Sequence, residues 1–175
     1  MFKSLCLACF ILTNVMIHAK PSGDCMTYST VKEKQKLIVG IEIRTSNDQC
    51  LVDMPRIWGK FHQEKILDKI PHKVNDTVFA LYTDYEGDYT KPYSYILGCE
   101  VSTLEDIPEG MVGKVVPAST YAVYTTEGTY PQGLAQTWVS IWKSSPKRAY
   151  TSDLEVYNPD FNPQTNPEVK VYIAF

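Results

Sequence analysis

Trp138-Val139-Ser140-Ile141-Trp142, followed past Tyr150 by Asp153-Leu154-Glu155-Val156-Tyr157, reads as a helix and then a strand. Trp138 and Trp142 stand four apart, so on a helix they share a face. In the second run Leu154 and Val156 alternate with Asp153, Glu155 and Tyr157, and a strand sends alternate side chains to opposite faces. The aliphatic pair is expected to pack inward, with Glu155 and Tyr157 looking the other way together. That second face is a candidate site, one carboxylate among large aromatics, since ring faces and a carboxylate both attract positive charge. The competing reading places the glutamate on an exposed sheet face and the two tryptophans in the core.

Outward from this stretch the same pattern recurs. Residues 128–145 hold the helix with Leu134, Trp138, Ile141 and Trp142, and 168–175 alternate with Val169, Val171, Ile173 and Phe175 on one face. Before the helix, 114–126 read as one strand broken early by Pro117. In the first half, residues 36–45 alternate as a strand with Leu37, Val39, Ile41 and Ile43 on one side. A helical pattern follows through Met54, Ile57, Trp58, Phe61 and Ile66 toward Ile70. Pro55 either sits in the first turn of a helix that begins near Asp53 or interrupts an earlier turn. Strands at 77–82 and 93–101 complete the half, and Gly98 marks a bulge or a close approach.

Both halves therefore read strand, helix, strand, strand. Trp58 and Phe61 echo Trp138, Ile141 and Trp142; Tyr82 matches Tyr157 and Ala80 matches Glu155. The expected fold is α+β, a tandem β-α-β-β repeat about a pseudo-twofold axis. Its helices are expected over one sheet face, with the opposite faces meeting in a central ligand cleft. The carboxylate occurs in one half only, so the pocket is asymmetric.

The chain has 175 residues and a formal net charge of −3, with 44% hydrophobic residues, twelve tyrosines and three tryptophans. That is one ordinary domain with enough apolar content for a core. The aromatic excess favours a binding surface. Basic residues are interleaved with acids, which argues against a nucleic-acid partner. Lys3, the apolar run 5–17 and Ala19 before Lys20 and Pro21 have the layout of a secretory signal peptide over 1–19. Residues 20–35 read as a polar N-terminal arm, and 36–175 as the domain. No later stretch is apolar enough to span a membrane, so an exported chain, periplasmic or secreted, is expected. Cys25, Cys50 and Cys99 would remain after cleavage; Cys25 with Cys50 is the preferred pairing, with Cys99 a buried thiol. The cysteine spacings fit no zinc site, and no cofactor is expected.

In order along the chain stand Thr45 and Asn47; Ile57, Trp58 and Phe61; Leu81 and Tyr82, then Tyr93, Tyr95 and Gly98; and Ile107-Pro108-Glu109-Gly110-Met111. Pro117, Ala118 and Tyr121 follow, then Trp138, Ile141 and Trp142, then Leu154-Glu155-Val156-Tyr157. Together these seven pieces resemble the GyrI-like small-molecule-binding domain, the effector-binding module of multidrug-responsive transcription activators, which also exists as stand-alone proteins. The resemblance covers residues 36–175. It implies a central aromatic pocket in which a glutamate, here Glu155, meets the ligand's positive charge. Regulators of the family have a helix-turn-helix ahead of the domain, whereas here a signal-like segment and a short arm precede it.

The first functional expectation is non-enzymatic binding of small amphiphilic, cationic or aromatic molecules, with Glu155 as the charge and Trp138, Trp142, Tyr82, Tyr95 and Tyr157 as walls. The alternative is a hydrolase of electrophilic, strained-ring molecules, an activity reported for some relatives of this fold. There Glu155, its pKa raised by burial, acts as general base and Tyr82 or Tyr95 holds the developing anion. A third reading makes the acidic loop with Asp84, Glu86 and Asp88 a surface for a protein partner.

Overall fold

A computed structural model describes residues 26–144 and 147–175. Among them run β1 (Ser29–Glu33), β2 (Lys36–Thr45), α1 (Cys50–Gln63), α2 (Ile66–Lys69), β3 (Lys73–Thr83), β4 (Tyr93–Val101), β5 (Val112–Val116), β6 (Ser119–Thr125), α3 (Gln132–Ser144), β7 (Ser152–Tyr157) and β8 (Lys170–Ala174). The fold is α+β. All eight strands join one curled antiparallel sheet in the order β1-β6-β8-β7-β3-β4-β2-β5.

That order is symmetric. Exchanging β1 to β4 with β5 to β8 reverses the list and leaves the neighbours unchanged. The repeat is thus a strand longer than the sequence pattern suggests, and each first strand crosses over: β1 pairs with β6 of the second half, and β5 pairs with β2 of the first. Two corrections follow. Residues 29–33 are an edge strand instead of part of a loose arm, because Val31 packs on the sheet while its polar neighbours face out. The segment 114–126 is two strands split at Pro117 and Ala118, since proline has no amide to give the ladder.

α1 begins at Cys50, so Pro55 lies inside the helix. Pro55 has no amide to give the carbonyl four residues before it, which belongs to the exposed Leu51. The helical run to Ile70 is broken at Lys65, whose φ of 52° is left-handed. Gly98 is a close approach: it lies opposite Gly40, and a Cβ on Gly40 would come within 2.3 Å of the Leu97 carbonyl oxygen. Only hydrogen fits at that crossing of β2 and β4.

Two apolar clusters sit on the two faces. One gathers Trp58, Phe61, Leu134, Trp138 and Ile141 from the helices over Val39, Ile41, Tyr95, Leu97, Tyr157, Val171 and Ile173. The other is built from strand residues, among them Ile38, Phe79, Leu81, Ile96 and Leu154. Glu155 and Tyr157 therefore lie under the helices. This corrects the expectation that helices would take one face and the cleft the other: the large indoles of both helices turn to the sheet and draw the site to their own side.

Cys50, at the helix start, is disulfide-bonded, and Cys99 is a free buried thiol. The expected partner Cys25 and the signal-like segment 1–19 lie outside the described residues. No helix among the described residues is long and apolar enough to cross a membrane. The acidic loop is held to the sheet, with Arg44 paired to Glu86 at 2.6 Å and Lys114 to Asp84 at 2.6 Å.

Candidate functional site

α3 brings Trp138 down on the sheet, where it is 4% exposed. A buried indole N–H needs an acceptor, and β7 supplies one: Nε1 of Trp138 donates to Oε1 of Glu155 at 2.7 Å. β3 lies beside β7, with Ala80 opposite Glu155, and that small residue leaves space over the carboxylate. Two positions further along β3, the Tyr82 hydroxyl donates to the same oxygen at 2.8 Å. The Tyr157 hydroxyl donates to Oε2 at 2.7 Å. Glu155, 2% exposed, is thus held by three neutral donors, and no ion pair among the described residues involves it. Burial raises its pKa above the ordinary carboxylate value; the bonds from Tyr157, Trp138 and Tyr82 oppose that rise without cancelling it.

Tyr82 and Trp138 also line a cleft partly open to solvent. α1 contributes Cys50 and Met54, β4 contributes Tyr93, and Asn47, Tyr85, Tyr89, Trp142 and Arg148 complete the walls. The rings are in contact: Tyr82 lies 5.1 Å from Trp138 and 5.5 Å from Tyr93 between centroids, and Trp142 stacks on Tyr89 at 6.1 Å. Both halves of the chain build this cleft.

The sequence-selected residues divide into two groups. Tyr82, Trp138 and Trp142 line the cleft, while Glu155 and Tyr157 lie behind it. Tyr95 also sits behind, its ring 5.0 Å from Tyr82 and its hydroxyl accepting from Trp58 Nε1 at 3.0 Å. The three donors that hold Glu155 are Tyr82, Trp138 and Tyr157, and the Tyr95 hydroxyl instead takes the indole N–H of Trp58.

A buried charged pair escaped the sequence reading. Arg148 Nη2 meets Asp153 Oδ2 at 2.5 Å, with both side chains buried. The Tyr85 hydroxyl donates to that oxygen at 2.8 Å, and the Ala174 amide donates to Oδ1 at 2.9 Å. Burial, and then the charge of Asp153, push the Tyr85 hydroxyl well above its ordinary pKa. Burial works against the Arg148 charge, but Asp153, Tyr85 and Tyr150 together outweigh it and raise the guanidinium's pKa. A signal was available: Asp153 and Glu155 alternate onto one strand face, and a buried acid there calls for a basic partner nearby. Tyr85 and Tyr89, in the polar loop, gave none.

Residues 30–175 match the family described as integron-associated effector binding protein, Cass2. The chain belongs to this effector-binding family. An integron cassette protein from the mobile metagenome of Vibrio cholerae, VCH_CASS2, is 26% identical in a crystal structure and superposes with a TM-score of 0.64 over 85% of this chain and 95% of that one. SAV2435, solved bound to tetraphenylphosphonium, superposes with a TM-score of 0.71 over 85% of this chain and 93% of that one. Its 16% identity makes that a likeness of fold. YobU of Bacillus subtilis (strain 168), whose name marks it as a candidate transcriptional regulator, is 26% identical over 147 residues, 79% of this chain and 91% of YobU. The transcriptional regulator BrlR of Pseudomonas aeruginosa is 36% identical over 129 residues, 67% of this chain but 44% of BrlR. The effector-binding fold is the GyrI-like one that the order of motifs pointed to.

Proposed function

We propose that this chain binds small amphiphilic aromatic cations in the tyrosine- and tryptophan-lined cleft, with Glu155 as the counter-charge. The observation that carries the reading is the buried carboxylate behind Tyr82 and Trp138, held by three neutral donors and by no cation among the described residues. A cation resting on those rings gains from their faces and from the carboxylate beneath them. The Asp153 charge is already matched by Arg148, which leaves Glu155 as the carboxylate behind the rings still seeking a positive partner. Tetraphenylphosphonium, the molecule on SAV2435, has this character.

The hydrolase reading has less support. Both Glu155 oxygens already accept hydrogen bonds, and the Tyr82 hydroxyl points into the carboxylate. With Glu155 2% exposed behind the rings, a water or substrate reaches it only if they rearrange, and the Tyr82 proton already goes to the carboxylate. The signal-like layout of 1–19 supports binding outside the cytoplasm, in the periplasm or as a secreted protein; N-terminal sequencing of the native protein should begin near Lys20.

A thermal-shift screen against cationic dyes and drugs, followed by calorimetry with tetraphenylphosphonium, tests the binding reading. A ligand that prefers the native state must raise its melting temperature. A protein whose melting temperature no aromatic cation moves, and which gives no calorimetric signal, is not this kind of binder.

A further inference from the structure

Arg148 is buried, with 3% of its side chain exposed, yet it lines the cleft. Its guanidinium sits over the Tyr150 ring at 4.5 Å and near the Trp138 ring at 5.9 Å. Those rings hold the plane of the group, but they offer no lone pair to its N–H edges. Nη2 bonds to Asp153, while Nε and Nη1 are buried without an acceptor among the described residues. The reason lies in Asp153. One of its oxygens serves Arg148 and Tyr85, and the other serves the Ala174 amide, so the carboxylate cannot turn to take the guanidinium with both oxygens. Buried N–H groups without acceptors are costly and uncommon in native proteins.

Resting on the aromatic-cation reading of the same cleft, we propose that Arg148 is a second polar subsite, one that takes a hydrogen-bond-acceptor oxygen of the ligand. The preferred ligands are then aromatic cations that also bear a carbonyl-type oxygen. The Arg148–Asp153 pair has no net charge, so a neutral acceptor suffices and an anionic group is not required. Glu155 reads charge through the rings on one side, and Arg148 reads an oxygen on the other.

The test compares meta- and para-acetylphenyl triphenylphosphonium with their isopropenyl analogues, which have the same charge and shape but lack the oxygen. Calorimetry on the wild-type protein should show at least one acetyl isomer binding about tenfold more tightly, as expected for a hydrogen bond to a charged donor. In Arg148→Lys, which keeps the charge for Asp153 but lacks the fork of donors, that preference should fall to within about twofold, with the isopropenyl probes little changed. The double variant Arg148→Met with Asp153→Asn removes both charges together and should also lose the preference, which keeps the test usable should Arg148→Lys fold poorly. Equal affinity of acetyl and isopropenyl probes for the wild type, or a preference that survives in the variants, overturns the subsite while leaving cation binding intact. Failure of every probe to bind the wild type overturns both readings.

Discussion

Replacing Glu155 by Gln removes a charge from the centre of the site with little change of shape. The amide oxygen can take the place of Oε1 and still accept from Tyr82 and Trp138, while its NH₂ meets the Tyr157 hydroxyl, which can turn from donor to acceptor. The hydrogen bonds thus survive in number, and what is lost is the field of the carboxylate. A cation over a ring face stands roughly 6–8 Å from the carboxylate behind that ring, and in surroundings with an effective dielectric of about 20 this is worth roughly 2–3 kcal/mol. Affinity for a cationic aromatic should fall about thirty- to a hundredfold. Stability should move by no more than about 1 kcal/mol, because weaker hydrogen bonds and the relief of a buried charge offset each other. Calorimetric titration of both proteins with N-methylquinolinium and its neutral isostere 1-methylnaphthalene isolates the charge. The quinolinium alone should suffer. Equal losses for the two, or no loss for either, would refute the assignment of Glu155 as the charge selector.

Three further outcomes are expected. Since burial raises the Glu155 pKa above 4.5, cation affinity in the wild type should fall as pH drops through that raised value, and in Glu155→Gln it should stay flat. Because the folded pKa lies above the unfolded one, Glu155 contributes stability at low pH that fades as pH rises through the folded value; urea melts across that window should show Glu155→Gln gaining on the wild type toward neutral pH. Tyr157→Phe removes the donor to Oε2 and should cost about 1–2 kcal/mol in the same melts, with the midpoint of the affinity profile displaced to higher pH. Gly40→Ala would drive its Cβ into the Leu97 carbonyl and should destabilise the fold by about 2 kcal/mol or more; an unchanged melting temperature would mean that β2 and β4 separate there at little cost.

Much of the fold was legible because the strands alternate cleanly and the helices bear their aromatics at helical spacing. Leu154 and Glu155 parted to opposite faces as the period of two requires, and Gly98 announced the contact with Gly40. What escaped depends on partners distant in sequence. β1 is too polar to read as a strand until β6 offers it an edge. The face on which the site sits was misread because alternation separates two faces without saying which one the helices cover. The same holds at the level of side chains. Glu155 and Tyr157 are neighbours on one strand, but the hydroxyl of Tyr82 arrives from 73 residues away. Tyr95 looked equivalent to Tyr82 on composition alone, yet the Tyr82 hydroxyl donates to Glu155 while the Tyr95 hydroxyl accepts from Trp58. Arg148, beside Lys147 after the last turn of a helix, looks like a surface charge until Asp153 turns inward.

The asymmetry of the site follows from the symmetry of the sheet. Aligning the repeats places Ala80 on Glu155 and Tyr82 on Tyr157, and in the β3–β7 ladder Ala80 is the direct partner of Glu155. The alignment also carries Tyr82 and Asp153 onto Tyr157 and Val78, and Val78 and Tyr157 are again partners. The pseudo-twofold axis therefore passes through the Ala80–Glu155 pair. At such a place the two halves cannot both hold an acid. A second glutamate would stand roughly 5 Å away between Cβ atoms, directly across the ladder, and two buried carboxylates at that distance cannot both ionise. One acid opposite one small residue is the arrangement that keeps a single ionisable charge on the axis. The tyrosines need no such exclusion. Tyr82 and Tyr157, related by the same axis, both turn their hydroxyls to the one carboxylate, one from each half. The duplicated fold thus supplies a symmetric aromatic frame, and the substitution that distinguishes its halves gives that frame a sign.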